Sequence, residues 1–174
     1  MTVSLVVCFF TVGIECDSTN QSVTYGRILT IFLSKVALNG TLPTSIGTFQ
    51  AMTFLYFSEC QIRGTIPNTI GQLISLRELS LPSNKLIGPI PDTINALTKL
   101  RTLNVDDNSL VSTIPSSISV LTNLRTLVAS FNSFTGTISS ALSSWTLLQR
   151  LSLDSNKLNG SIPLHWVTCY QLIF

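Results

Sequence analysis

Three arginines recur at one fixed interval, Arg77, Arg101 and Arg125, with Arg150 close to the next place in the series and Asp106, Asp107 and Asp154 nearby. A guanidinium fork grips a carboxylate in two places at once, so this set could hold the carboxylate of a peptide or of an acidic polysaccharide. A plainer reading outweighs it: a solvated rim of compensating charges, worth about 0–1 kcal/mol per pair. Acid–base and nucleophilic chemistry have no footing. His165 is the single imidazole, and no nucleophile is placed beside it. The chain has no Gly-x-Ser-x-Gly elbow, no phosphate loop and no kinase signature. Its four cysteines, Cys8, Cys16, Cys60 and Cys169, are too few and too scattered for a zinc site or a disulfide scaffold. The expectation is therefore no enzyme, no metal and no cofactor.

The elements that position these residues come from a repeat. Leu76, Leu100, Leu124 and Leu148 share the same constant interval, and the series runs back to Met52 and Ile28. Ile31, Leu55, Leu79, Leu103, Leu127 and Leu151 follow at offset three; Leu33, Phe57, Leu81, Val105, Ala129 and Leu153 follow at offset five. The last four units add Asn84, Asn108, Asn132 and Asn156 at offset eight. A period of roughly 24 residues takes precedence over local readings and marks a repeat array. Six units span 28–171, preceded by a segment 1–27 and ending in an irregular tail, 164–174. With 174 residues, 45% apolar and 10% charged, the chain is one domain with a sizeable core. A net charge of +2 gives no reason to expect a nucleic-acid partner. The longest apolar run, near Val3–Ile14, is shorter than the ~20 residues that span a bilayer.

Within a unit, the first half alternates apolar and polar, the period of a strand with one buried face. Glycine follows at offset twelve (Gly40, Gly64, Gly88, Gly136, Gly160), with Ser112 as the exception, where it supplies a turn without a side-chain clash. An aliphatic–Pro pair then turns the chain outward, except at Ile138–Ser139, and a short helical turn closes onto the core. No unit buries its own apolar face; stacked neighbours do so together, with strands paired in parallel. The asparagines are expected to satisfy backbone groups where each strand bends inward. Val36 and Cys60 occupy that slot in the first two units; cysteine is a weak substitute and valine is none, so the N-terminal end should be the less regular one.

The pattern LxGxIPxxIxxLxxL, as in Leu86–Ile87–Gly88–Pro89–Ile90–Pro91, resembles the plant-specific class of leucine-rich repeats found in receptor-like kinases, receptor-like proteins and polygalacturonase inhibitors. The resemblance covers 28–163. It implies an α/β leucine-rich repeat solenoid, right-handed, with a parallel sheet on the concave face, short helical turns on the convex side and a second short strand near Gly-x-Ile-Pro. It also implies an N-terminal cap, of which Gly13–Ile14–Glu15–Cys16 matches the last half. Residues 1–14 read equally as a signal-like apolar stretch or as a misassigned start, and a Cys8–Cys16 pairing stays open. The tail ends on apolar residues with no polar cap, so the array looks truncated.

Function, on this reading, belongs to the strand face. Its outward positions include Phe32, Phe54, Tyr56, Glu78, Ser80, Asn104, Asp106, Val128, Phe131, Arg150 and Asp154. Phe32, Phe54 and Tyr56 cluster as a contact hot spot would, or else shield a weakly capped end. Asn20, Asn39 and Asn159 head N-glycosylation sequons. The resemblance implies an extracellular recognition module, at the outer side of the plasma membrane, that binds a peptide or protein ligand and allows for a co-receptor. One alternative is an inhibitor of a secreted polysaccharide-degrading enzyme; another is a truncated product without binding function.

Overall fold

A computed structural model describes residues 14–17, 27–161 and 171–173. Cys8, Asn20, His165 and Cys169 lie outside the described residues, as do most of the N-terminal segment and most of the tail.

The alternating half of each unit forms a strand, and these strands build one eight-stranded sheet. Its members are β1 (Ile14–Asp17), β2 (Arg27–Ser34), β3 (Phe54–Ser58), β5 (Glu78–Ser80), β7 (Thr102–Asn104), β9 (Thr126–Val128), β11 (Arg150–Ser152) and β13 (Gln171–Ile173), in that order. All pairings are parallel except that of β1 with β2, which is antiparallel. From β3 to β11 each residue pairs with its equivalent one full period on, so Leu55, Leu79, Leu103, Leu127 and Leu151 lie side by side. All five are essentially inaccessible to water. Burying a leucine side chain is worth about 1.5–3 kcal/mol, and stacking is what makes that burial complete.

A second sheet runs along the flank: β4 (Arg63–Gly64), β6 (Lys85–Gly88), β8 (Ser109–Ser112), β10 (Ser133–Thr137) and β12 (Lys157–Asn159). Its register falls two positions short of the full period, so Gly136 pairs with Leu158 and not with its equivalent, Gly160. The helical half of each of the first five units is a single 3-10 turn, at Thr44–Thr48, Asn68–Gln72, Asp92–Ala96, Ser116–Val120 and Ser140–Ser144. Pro43, Pro67, Pro91 and Pro115 open the first four turns, where a missing N–H goes unneeded. The fifth has Ser139, whose hydroxyl accepts from the Ala141 N–H at 3.2 Å and so caps the turn.

Glycine at offset twelve adopts a positive φ at Gly64, Gly88, Gly136 and Gly160, between 75° and 86°, and Ser112 adopts 79° in its place. Each of these glycines also makes room for the preceding unit. A Cβ at Gly88, Gly136 or Gly160 would come within 2.9 Å of the methyl of Thr65, Thr113 or Thr137. The residue ahead of Ser112 in that series is Pro89, not threonine, so the unit that breaks the glycine column follows a unit without the threonine methyl. Gly40 departs from the expectation: the left-handed residue there is Asn39, with φ of 52°.

The two ends differ from the middle. In the first unit β2 runs on for eight residues, and Val36 is 40% exposed rather than held in the asparagine slot. At the other end the expected irregular tail returns to the sheet. Gln171–Ile173 pairs with Arg150–Ser152, three positions short of the full period, as a further strand reached by a shortened unit.

Candidate recognition surface

The asparagine column fixes the strand-to-flank bend that shapes the face. Asn84 Nδ2 donates to Phe57 O at 2.8 Å, and its Oδ1 accepts from the N–H groups of Cys60 and Ile62 at 3.1 Å. Asn108, Asn132 and Asn156 repeat this, donating to Leu81, Val105 and Ala129 and accepting from Leu86, Leu110 and Phe134. Every one of these units is thereby tied to its predecessor by both ends of one carboxamide. Cys60 imitates half of the device: its buried thiol lies 3.2 Å from Ser58 O and 3.5 Å from Leu33 O, the positions an asparagine amide would reach.

On the open side of the main sheet two rows of side chains align by register. One reads Thr30, Phe54, Glu78, Thr102, Thr126, Arg150; the other reads Phe32, Tyr56, Ser80, Asn104, Val128, Ser152. The first two units present aromatic surface. Phe32 and Tyr56 stack with centroids 4.4 Å apart and planes within 8°, while Phe32 is 49% and Phe54 41% exposed. Three of the expected contact residues need adjustment or a limit. Ser80 and Val128 stand in the same row but are buried. Phe131 is well exposed, with φ of 51°, in the turn beyond β9.

Towards the C-terminal units the face carries carboxylates and hydroxyls. The hydroxyls of Ser130 and Ser152, both buried and 2.9 Å apart, converge on the Asp154 carboxylate, which these hydrogen bonds, Ser130 first, hold below its ordinary range. Asp106 shifts the opposite way: burial, then the neighbouring charges of Asp107 and Asp154, raise it, against the pull of Arg150. The hydroxyl pair was the part of this cluster that sequence reasoning missed, although Ser130 and Ser152 stand in repeat columns and could have been found there. Arg77, Arg101 and Arg125 are all exposed, and none forms an ion pair among the described residues. The compensated rim expected of them is therefore not seen. Asn39 and Asn159 are exposed on the flank, away from the main sheet face. No group of His, Cys, Asp or Glu suited to a metal ion occurs among the described residues.

A solenoid of this repeat class, with parallel strands stacked along one open sheet face, defines a leucine-rich repeat fold. A family model described as a leucine-rich repeat region matches residues 27–166, and the chain belongs to that family. A search of curated proteins by sequence gave no match. Solved structures do match. The ectodomain of the receptor kinase SOBIR1 from Arabidopsis thaliana has 25% identity and a TM-score of 0.76, over 87% of this chain and 84% of that one. The PEPR1–AtPEP1 structure has 26% identity and a TM-score of 0.78, over 93% of this chain but 22% of that one. The plant peptide hormone receptor RGFR1 in complex with RGF2 has 26% identity and a TM-score of 0.65, over 83% and 29%. The chain thus spans between a fifth and a third of the two longer receptors. No helix among the described residues is long and apolar enough to cross a membrane.

Proposed function

We propose that this chain is an extracellular recognition module of the receptor-like kind, which binds a peptide or protein segment across its main sheet face and performs no catalysis. The observation that carries the reading is the exposed aromatic group of Phe32, Phe54 and Tyr56, in register beside Glu78, Thr102 and Asn104. Leucine-rich repeat proteins of similar fold include the plant peptide hormone receptor RGFR1, solved in complex with RGF2, which supports a peptide as the kind of partner. Six strands at about 4.8 Å spacing present roughly 25 Å, the length of an extended segment of about seven or eight residues. A co-receptor, exposed sequons at Asn39 and Asn159 carrying glycans, and a place at the outer side of the plasma membrane belong to the same reading. Selection of short random peptides on the purified chain tests it. Binders that are lost on Tyr56→Ser support the proposal, and failure to select any peptide or partner segment counts against it.

A further inference from the structure

Arg77, Arg101 and Arg125 are neighbours through the backbone itself. Arg101 N donates to Arg77 O and Arg125 N to Arg101 O, both at 2.8 Å. The three therefore occupy successive rungs about 4.8 Å apart, at the rim where β5, β7 and β9 begin. All three side chains are exposed, as is that of Lys99, two residues before Arg101. We propose that this rim binds a linear acidic polysaccharide of the uronate kind, with the guanidinium column gripping its carboxylates. The inference is separate from the peptide reading, which uses the aromatic end of the sheet face.

The net charge of +2 conceals how unevenly the charges are placed. Positions within two residues of the series Ile28, Met52, Leu76, Leu100, Leu124 and Leu148 hold six of the ten cations but only one of the eight carboxylates, Glu78. Two of these cations have a counter-charge: Arg27 stands opposite Asp17 in the antiparallel pair, and Arg150 acts on Asp106. Arg77, Lys99, Arg101 and Arg125 remain, against the half-buried Glu78, and none of the four forms an ion pair among the described residues. Asp92, on the third 3-10 turn, is engaged by the Ser117 hydroxyl at 3.2 Å. Like charges held on adjacent rungs repel, so an anion laid along them relieves that repulsion and adds its own attraction. The neighbours of the column select the kind of anion. Thr98, Thr102, Thr122, Asn123 and Thr126 surround the arginines with hydroxyls and a carboxamide, and Thr53 and Gln149 extend the column itself. Such groups hydrogen-bond sugar hydroxyls and offer no pocket for apolar peptide side chains. A uronate chain has those hydroxyls and one carboxylate per ring, a charge density close to one per rung.

The test is fluorescence anisotropy on the full chain with three labelled probes: an oligogalacturonate long enough to span the three rungs, its uncharged methyl ester, and a glutamate peptide of equal charge. The acid oligomer should bind best, weaken as salt is added and lose its binding on esterification. The triple variant Arg77→Gln, Arg101→Gln, Arg125→Gln should bind it at least about tenfold more weakly. A control triple that removes the same charge from the flank, Arg63→Gln, Lys85→Gln, Lys157→Gln, should bind as the parent does, and so should Tyr56→Ser. The substituted side chains are all exposed and the column's backbone bonds need no side chain, so an unchanged urea midpoint checks that both triples fold. No binding of the acid oligomer, equal loss in the two triple variants, or tighter binding of the ester or the glutamate peptide overturns this inference. Each of these leaves peptide recognition by the sheet face standing, because that reading fails on peptide selection and not on this probe.

Discussion

Asn108 illustrates how one residue type holds the array. Its amide donates to Leu81 O at 3.0 Å, and its carbonyl oxygen accepts from Leu86 N at 3.0 Å, so replacing it leaves buried backbone groups of the preceding unit unpaired. Asn108→Ala should cost about 1–3 kcal/mol, read as a lower urea midpoint. The turn glycines act by two routes, positive φ and clearance for a threonine methyl, and Ser112 escapes only the second because Pro89 precedes it. Ser112→Gly should therefore stabilise by about 1 kcal/mol, and Gly136→Ala should destabilise by more than that, since it meets both penalties. The two acidic positions respond to pH with opposite sign. Asp154 is lowered from 3.8, so it stabilises the fold above that value and the contribution fades as pH falls through its folded-state range; Asp154→Asn should lower Tm at neutral pH and match the parent in acid. Asp106 is raised, so its ionised form opposes folding at neutral pH; Asp106→Asn should raise Tm there, with the gain vanishing as pH drops below 3.8.

At the scale of elements, the period carried most of what the structure shows. The strand at offset three, the asparagine bend and the turn opened by proline all follow from residue types repeated at one spacing, because each needs the same partner one unit away. The residues that broke the pattern were less legible. Ser139 could be seen to replace proline, but that its hydroxyl would cap the turn depends on a 3.2 Å contact that no spacing reports. Val36 could be seen not to fit the slot, yet its exposed position follows from a longer β2, a tertiary outcome. The tail looked irregular because it reaches β13 three positions early, and a strand displaced from the period carries no periodic signal. Burial of Ser80 and Val128 was invisible for a related reason: alternation gives the direction of a side chain but not how far it is covered. The Cys60 thiol, buried between units, should resist a soluble disulfide reagent until denaturant is added.

Over the whole molecule, repetition has two consequences. Most contacts join a unit to its neighbours, so the sheet face is a rigid platform rather than a set of loops. And because the core columns are nearly uniform, what distinguishes one unit from another lies on the open face, with Phe32, Phe54 and Tyr56 at one end and the Ser130, Ser152 and Asp154 group at the other. On the proposed reading, this is the face that a partner lies along. The most direct test of this claim is amide hydrogen exchange on the full chain, with and without a peptide selected for binding. Slowed exchange concentrated on β3, β5, β7 and β9, with the flank strands β6, β8 and β10 unchanged, is the expected result. Protection confined to the flank strands, with the main sheet face unaltered, would contradict it.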